Sequence, residues 1–252
     1  MLALTRAVSR SLARCELTHL ARTPIDLELA RAQHRAYEEA LASLGIRVVS
    51  LPEEPELPDS VFVEDTAVVA GELAVVTRPG AESRRPEVES VARALAPHRR
   101  VARLEAPATL DGGDVLRLGR AFFVGRSGRT GEEGIAALRA LVAPEGYSVT
   151  GVSVNGCLHL KSAVTEVAEG LVLVNPGWVD PAVFGVPFIE VDPSEPAAAN
   201  ALRAGGAVIH TARHPRTRAR LEKAGIRVAA VDLSELEKAE GAVTCCSILL
   251  DE

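Results

Sequence analysis

The stretch TAVVAGELAVVT, residues 66–77, decides the fold because two short apolar runs flank a Gly71-Glu72 turn. Runs of this length on either side of a glycine turn predict a β-hairpin. Downstream, four apolar residues recur at the spacing of one helix face: Val88, Val91, Ala92 and Leu95. The segment Val101–Glu105 is again strand-like. Residues 66–105 therefore predict a unit of two strands, a helix and a third strand.

The same unit recurs along the rest of the chain. Further hairpins are predicted at residues 114–125, 163–175 and 200–211, and third strands at 148–154, 188–192 and 226–233. Helices are predicted on residues 135–142 and 215–224, and only a short helical turn in the third unit. The tetrapeptide Gly-Ile-Arg-Val occurs at 45–48 and at 225–228, each time where a helix gives way to a strand. The chain is thus predicted to repeat one supersecondary unit.

A fifth unit is split between the two ends of the sequence. Ala242–Leu250 and Leu2–Val8 are predicted to pair as its hairpin, followed by a helix near Pro24–Leu44 and the strand Ile46–Leu51. Such pairing would close a ring and hide its edges. Because repeats of roughly 40–50 residues are typical of propellers, the pattern predicts a single α/β domain over residues 1–252, a five-bladed α/β-propeller of ββαβ units. A doubly wound α/β sheet is the alternative that the same pattern allows.

Composition excludes several classes of protein. The 252 residues contain 28 Lys and Arg against 34 Asp and Glu, and this net charge of −6 argues against a nucleic acid or an anionic membrane surface as the main partner. No apolar run approaches the roughly 18 residues needed to span a bilayer. Apolar residues make up 47% of the chain and aromatic residues only 3%. A sizeable core of small aliphatic side chains is therefore expected.

Cysteine usage and the N-terminal segment bear on cellular location. The four cysteines include no C-x-x-C pair and are too few for a disulfide scaffold, which favours a reducing cytoplasm. Met1–Cys15 is rich in arginine and contains no acidic residue, as short transit peptides do. We favour the interpretation of Leu2–Val8 as a strand, because the fifth unit needs it.

Polar side chains that could carry chemistry cluster near the ends of the predicted strands. Residues 58–65, PDSVFVED, hold three carboxylates just before an apolar strand, and the segment 111–114, DGGD, opens the second unit. Asp59 after a proline, and an aspartate before two glycines, also fit simple turn formers. The Glu64-Asp65 pair is harder to explain as a turn, which favours a functional use.

His159 and Cys245 lie at corresponding points of the third and fifth units. Alone, His159 fits a hydrogen-bonded core histidine, and Cys245 fits a small buried hydrophobe. In a ring of equivalent units, however, these two residues would converge on the central axis with Asp65 and with Asp111 or Asp114. A cysteine, a histidine and several carboxylates in one pocket predict a thiolate nucleophile, a general acid/base and an anionic site for a cation.

Other catalytic signatures are missing from the sequence. It contains no G-x-S-x-G, no P-loop and no G-x-G-x-x-G, so these routes to serine hydrolysis and nucleotide binding are not supported. Cys246 follows Cys245 directly, and alternation along the predicted strand would send the two thiols to opposite faces. At most one of them is therefore expected in the common site.

Eight short motifs are spread over nearly the whole chain. They are LPDSVFVED (57–65), TRPGAESRR (77–85), LDGGDVL (110–116), GRT (128–130), LHLKS (158–162), AAN (198–200), SELEK (234–238) and TCCS (244–247). Together they resemble the dimethylarginine dimethylaminohydrolases, within the guanidine-modifying enzymes of the five-bladed α/β-propeller (pentein) fold. The resemblance implies a hydrolase that converts N-omega-methylated L-arginine to L-citrulline and dimethylamine or methylamine.

The resemblance also implies the catalytic residues. Cys245 matches the family's nucleophile, His159 its general acid/base, and Asp111 the carboxylate that orients the site. Some bacterial relatives have Glu in place of Asp111, which changes the reach of the carboxylate but not its charge. Some relatives have Met in place of Cys246, which favours Cys245 as the nucleophile.

The substrate-binding residues that the resemblance implies are Leu17, Asp59, Glu64, Asp65, Arg84, Arg129 and Ala239. Asp65 and Glu64 would hold the guanidinium and its neighbourhood, and Asp59 the amino-acid end of the substrate. The two arginines would bind its carboxylate. Leu17 matches a position on a lid, and Ala239 one on the C-terminal loop.

The implied reaction passes through a covalent Cys-thiouronium intermediate and needs no metal and no cofactor. Its substrate is a small cationic guanidino compound. An arginine or agmatine deiminase-like hydrolase is the close alternative, although two carboxylate-binding arginines count against agmatine. A non-catalytic ribosome-binding protein of the same fold belongs to a different class, and the net charge of −6 disfavours it. An amidino transferase is disfavoured by chain length, and a homodimer is left open.

Overall fold

A computed structural model describes residues 1–251 and contains fifteen strands within them. The strands are β1 Leu2–Arg6, β2 Arg47–Leu51, β3 Ala67–Ala70, β4 Leu73–Val76, β5 Arg100–Arg103, β6 Val115–Leu118, β7 Ala121–Arg126, β8 Ser148–Ser153, β9 Val164–Ala168, β10 Leu171–Val174, β11 Phe188–Glu190, β12 Ala201–Ala204, β13 Ala207–Thr211, β14 Val228–Val231 and β15 Ile248–Leu250. The α-helices are α1 Leu27–Ser43, α2 Val88–Leu95, α3 Glu132–Val142, α4 Leu160–Ala163, α5 Pro215–Lys223 and α6 Ser234–Glu237.

The strands form five separate three-stranded sheets. Their orders are β3-β4-β5, β6-β7-β8, β9-β10-β11, β12-β13-β14 and β15-β1-β2. In each sheet the first two strands pair antiparallel, and the third lies parallel beside the middle one. This is the predicted unit, repeated five times. The five-bladed α/β-propeller is therefore confirmed, and the chain is not a doubly wound sheet.

The fifth sheet joins the two ends of the chain, as predicted. Strand β1 pairs with β15 through Leu2–Leu250, Ala3–Leu249 and Leu4–Ile248, and with β2 on its other side. All five residues of β1 are buried, because both of its edges are occupied. The interpretation of the N-terminal segment as a strand is thus confirmed.

Helix α1 follows from local sequence signals. The Asp26 side chain accepts a hydrogen bond from the Leu29 N–H at 3.0 Å and so caps the first turn. Gly45, with a φ of +80°, follows the last turn in the left-handed conformation that glycine favours. The helix buries Tyr37 and Leu41, as its apolar spacing predicts.

The C-terminal strand is much shorter than predicted. Instead of Ala242–Leu250, only β15 is extended, and residues 243–246 form a turn. Asn200 causes this, since its Oδ1 accepts the Thr244 N–H at 3.0 Å and its Nδ2 donates to Thr244 Oγ1 at 2.9 Å. The argument from strand alternation was therefore wrong for Cys245 and Cys246. They still differ: Cys245 is partly exposed, and Cys246 is buried in the core.

Small aliphatic side chains fill the spaces within and between the blades, as the composition predicts. Val, Leu, Ile and Ala supply most of the buried apolar residues. The packed core holds the hairpins at fixed angles around the axis. Among residues 1–251, no helix combines the length and apolarity needed to cross a membrane.

The first strand of each hairpin lies closest to the propeller axis. Strand β9 packs beside β6 and β12, and β15 beside β3. The turns that precede these strands are hydrogen-bonded into a closed ring, here called the axial belt. Its links are Gly113 N–H to Asp65 Oδ1 (2.9 Å), Leu160 N–H to Asp114 Oδ1 (2.9 Å), Asn200 Nδ2 to Lys161 O (3.0 Å), Asn200 Nδ2 to Thr244 Oγ1 (2.9 Å) and Thr244 Oγ1 to Glu64 Oε2 (2.7 Å).

Candidate active site

A small pocket lies at one end of the axis, against the axial belt. It brings together most of the predicted site residues, namely Asp59, Asp65, Arg84, Arg129, His159, Ala239 and Cys245. Four further residues complete its wall: Glu16, Phe62, Leu158 and Glu240. The pocket therefore combines a thiol, an imidazole, carboxylates and guanidinium groups contributed by distant parts of the chain.

Asp65 supplies a fixed negative charge to the pocket. Its Oδ1 accepts the Gly113 N–H, and its Oδ2 accepts Arg84 Nη1 at 2.6 Å. Burial favours the neutral acid, but the charges of His159 and Arg84 outweigh it and lower the pKa of Asp65 to about 2. A carboxylate that stays ionised at neutral pH is suited to bind a cationic group.

His159 lies between two carboxylates. Its Nε2 is 3.1 Å from Asp111 Oδ2, and its Nδ1 is 3.9 Å from Asp65 Oδ1. Burial alone would favour the neutral ring, but these carboxylates raise the pKa of His159 to about 9. The ring is therefore an imidazolium at neutral pH, with Nε2–H donating to Asp111. The imidazolium also carries a proton on Nδ1, near Asp65 in the pocket wall, and this is the proton that it can give up to a substrate.

Asp111 is itself held in place by the neighbouring blade turns. Its Oδ1 accepts the Gly80 N–H at 2.9 Å, and its own N–H donates to Thr130 Oγ1 at 3.1 Å. The side chain is fully buried, behind the imidazole rather than in the pocket wall. This placement suits a residue that orients His159.

Cys245 lies on the turn before β15, beside the carboxylates. Burial, followed by the charges of Glu64 and Asp65, raises the pKa of the Cys245 thiol above its usual value. Without a ligand the group is thus a neutral thiol at pH 7. A bound cation would offset the two carboxylates and favour the thiolate.

The two predicted carboxylate-binding arginines have different surroundings. Arg84 is buried, and its Nε and both Nη groups donate to protein acceptors on Asp65, Glu87 and the backbone. Arg129 is only partly buried, and it makes fewer contacts: its Nη2 donates to Thr18 Oγ1 at 3.0 Å, and its Nη1 lies 3.9 Å from Asp111 Oδ2. Arg84 therefore supports Asp65, and Arg129 has the freer guanidinium.

Two predicted substrate-binding residues also lie outside the pocket wall. Glu64 faces away from the pocket, where its carboxylate accepts Lys161 Nζ at 2.5 Å and Thr244 Oγ1 at 2.7 Å. Glu64 and Lys161 instead line a second cavity of about 520 Å³ on the other side of the axial belt. Leu17 is half-buried and packs against the core beside α1. Their roles in substrate binding stay predictions.

Asp65, Asp111 and His159 also have the spacing of a metal site. One ligand atom from each lies within 4.8 Å of the others. A metal ion would have to displace the proton that the two carboxylates hold on the imidazole. The charges of Asp65 and Asp111 therefore stabilise the protonated form of His159. That the reaction needs no metal stays a prediction.

Sequence reasoning missed several residues of the pocket wall and of the axial belt beside it. Lys161 and Thr244 lie within motifs already quoted, next to His159 and Cys245, so their position was a usable signal. Glu16 and Glu240 offered none, because more than two hundred residues separate them along the chain. Only the folded ring brings them to the same pocket.

Comparisons with known proteins agree with this geometry. A sequence model of the family described as "N,N dimethylarginine dimethylhydrolase, eukaryotic" matches residues 20–182. The N(G),N(G)-dimethylarginine dimethylaminohydrolase of Streptomyces coelicolor is 42% identical over 99% of this chain and 97% of its own length, and that of Pseudomonas aeruginosa is 36% identical over 88% and 89%. A Cys-to-Ser variant of the Pseudomonas aeruginosa enzyme with citrulline has a TM-score of 0.92 at 34% identity, over 98% of this chain and 97% of that one. The chain belongs to the dimethylarginine dimethylaminohydrolase family.

Proposed function

We propose that this protein hydrolyses asymmetric dimethylarginine or monomethylarginine to L-citrulline and dimethylamine or methylamine. Membership of the family supports the reaction class. The observation that carries the proposal is the convergence of Cys245, His159 and the ionised Asp65 in one pocket. A nucleophile, an acid/base and a cation site are the three groups that hydrolysis of a guanidinium requires.

The substrate binds through its two charged ends. Asp65 pairs with the guanidinium, and its ionisation at neutral pH supports this role. Arg129 binds the α-carboxylate, and the nearby Asp59 carboxylate contacts the α-amino group. Arg84 contributes by holding Asp65 at 2.6 Å, since its own donors are committed to protein acceptors. Fixing both ends places the guanidine carbon beside Cys245.

In the first step, the Cys245 thiolate attacks the guanidine carbon. The bound cation offsets the charges of Glu64 and Asp65, which removes part of the cause of the raised thiol pKa, and the thiol then releases its proton to solvent. A C–S bond forms, and the carbon becomes tetrahedral. His159 then donates its Nδ1 proton, the one that Asp111 does not hold, to the methylated nitrogen, the C–N bond breaks, and the neutral amine leaves. A thiouronium group remains on Cys245.

In the second step, water replaces the thiolate. His159 has given up a proton and is now neutral, so it can accept one from a water molecule next to the thiouronium carbon. The hydroxide forms a C–O bond, and collapse of the adduct breaks the C–S bond while the hydroxyl proton passes to solvent and leaves the carbonyl of citrulline. Citrulline and the Cys245 thiolate result, and His159 is again an imidazolium. Asp111 holds the ring in place through both steps.

The direct test is citrulline release from asymmetric dimethylarginine, monomethylarginine, arginine and agmatine. We expect turnover of the two methylated arginines and none of agmatine, which has no carboxylate for Arg129. Turnover of arginine above that of both methylated forms would favour a deiminase instead. The proposal fails if no guanidino compound is hydrolysed.

Two cysteine variants test the assignment of the nucleophile. We expect Cys245→Ser to abolish citrulline release, because a hydroxyl is a much weaker nucleophile at this site. Cys246→Ser is the matched control, since Cys246 is buried in the core one residue away. It is expected to keep most activity. Equal loss in both variants, or full activity in Cys245→Ser, would contradict the assignment.

A further inference from the structure

The loop of residues 16–20 covers the pocket. Glu16 lines the pocket, and its N–H donates to Asp59 Oδ2 at 3.1 Å. The cavity that remains beneath the loop is about 20 Å³, roughly one or two water positions, whereas ligand pockets measure about 300–1,000 Å³. An arginine-sized substrate therefore enters and leaves only if part of this wall moves.

The Glu240 carboxylate holds the loop of residues 16–20 by accepting hydrogen bonds from the loop's backbone N–H groups. Glu240 Oε1 accepts the N–H groups of Thr18 at 3.0 Å, His19 at 2.6 Å and Leu20 at 2.6 Å. Its Oε2 also accepts the Thr18 N–H at 3.0 Å. Three consecutive N–H groups that converge on one carboxylate form an anion-binding concavity. Hydrogen bonds to a charged acceptor are about twice as strong as neutral ones.

The backbone of Glu240 indicates that its side chain is needed there. Among non-glycine residues in the part of the chain that the structure describes, Glu240 alone has a positive φ, of +59°. Gly45 and Gly225 take the equivalent positions after α1 and α5, with φ values of +80° and +81°. Glycine is the residue that this conformation favours after a helix. Glutamate therefore occupies the site after α6 despite its backbone preference.

We propose that Glu240 is a positioning residue that latches the loop of residues 16–20 over the active-site pocket. This inference rests on the proposed hydrolysis of methylated arginine at that pocket. Asp59 and Arg129, which face the amino-acid end of the substrate, also contact this loop. The closed loop thus helps to fix the two groups that bind substrate. Loss of the latch lowers the closed population, which raises the apparent dissociation constant in proportion.

Hydrogen exchange of the Thr18, His19 and Leu20 amides measures the latch without substrate. We expect about tenfold faster exchange in Glu240→Ala and Glu240→Gly than in the wild type. Glu240→Gln, whose amide oxygen still accepts, is expected between them and the wild type. Glu235→Gln is the matched control, because Glu235 lies on the same segment but accepts the Asp26 N–H at 2.8 Å, at the start of α1 and outside the loop of residues 16–20. Unchanged exchange in Glu240→Ala would overturn the proposal.

Steady-state kinetics distinguish a latch from a merely structural residue. We expect Glu240→Ala and Glu240→Gly to raise KM about tenfold and to change kcat less than about threefold. Glu240→Gly relieves the left-handed backbone, so its melting temperature should not fall. Wild-type KM in Glu240→Gly, or the same rise in Glu235→Gln, would overturn the latch. If no guanidino compound is hydrolysed by the wild type, the proposed function fails, whereas the exchange result still tests the latch.

Discussion

The imidazole of His159 is flanked by Asp111 at one ring nitrogen and by Asp65 near the other. The two carboxylates have different surroundings. Asp65 lies in the pocket wall, where we propose that its charge pairs with the substrate. Asp111 is buried behind the ring, where its carboxylate contacts His159, the Gly80 N–H and, at 3.9 Å, Arg129. Protonation of His159 at neutral pH therefore follows from the packing of two blade turns around one ring.

This arrangement makes a prediction for Asp111→Asn. Removing one of the two negative charges lowers the pKa of His159 from about 9, so less of the imidazolium is available to protonate the leaving amine. We expect kcat to fall about 100-fold and the basic limb of its pH profile to move from near pH 9 towards neutrality. The pH dependence of kcat measures both effects.

Asp111→Glu serves as the control for charge, because it keeps the carboxylate and alters only its reach. We expect it to retain the basic limb near pH 9 even if kcat falls. An unchanged pH profile in Asp111→Asn would contradict the proposed coupling between these two residues.

At the residue scale, the sequence predicted the positions of side chains within one motif better than the contacts between side chains of different blades. His159 and Asp65 could be placed near one axis because each opens a repeated unit. The sequence could not predict that Arg84 donates its hydrogen bonds to Asp65 and Glu87. These contacts depend on how the turn at residues 82–87 packs. The same holds for Glu240 and its loop.

At the scale of elements, the turn Gly112–Asp114 shows why two glycines precede β6. A Cβ on Gly113 would lie 2.6 Å from His159 Nδ1 and 2.7 Å from Asp65 Oδ1, and one on Gly112 would lie 2.0 Å from the Glu64 carbonyl oxygen. The turn approaches His159, Asp65 and the Glu64 backbone too closely for any side chain. These glycines are thus explained by contact rather than by turn formation alone.

Gly113→Ala is therefore expected to impair catalysis. Either His159 or Asp65 must shift, and a displacement of about 1 Å in a catalytic group lowers the rate on the order of 100-fold. Gly119→Ala, in the hairpin that follows, is the control. Its φ of +57° makes alanine unfavourable by about 1 kcal/mol, but nothing lies within 4 Å of the new Cβ. Comparable kcat values in the two variants would contradict this interpretation.

The elements that the sequence predicted well are the ones with local signals. Hairpins around Gly71 and Gly119 agree with their predicted positions to within about two residues, because a glycine turn marks each centre. The predicted C-terminal strand, Ala242–Leu250, was too long. The hydrogen bonds between Asn200 and Thr244, which hold residues 243–246 in a turn, join residues 44 positions apart in the sequence. Tertiary hydrogen bonds of this kind override an apolar run, and no local pattern reports them.

At the scale of the whole molecule, the axial belt connects all five blades through side chains of the site. We propose on this basis that residues 1–252 form a single domain that unfolds in one cooperative transition. The buried groups of the belt and pocket then make global stability depend on pH. His159 dominates the basic side, because its pKa is raised above its ordinary value.

We expect the free energy of unfolding to decrease between pH 6.5 and pH 9. The native state holds the His159 proton that the unfolded chain releases near pH 6.5, so this contribution is full below pH 6.5 and is lost as pH rises through about 9. The loss is on the order of 3 kcal/mol. Burial lowers the pKa values of His34 and His210, so these residues act only below pH 6.5.

Urea unfolding at pH 6.5 and pH 9 measures this dependence. In His159→Asn the group is absent, so we expect its unfolding free energy to change much less between the two pH values. Equal slopes in the variant and the wild type would assign the dependence to other groups.

The pairing of β15 with β1 has a topological consequence. Leu2 and Leu250 are direct cross-strand partners, about 5 Å apart, so the ring has no structurally privileged starting blade. A circular permutant that joins the two ends through about five residues and opens the chain between Pro193 and Ser194, in an exposed connection between two blades, should fold to the same ring. We expect its kcat to stay within about threefold of the original, which would show that the order of the blades along the gene is independent of their order in space.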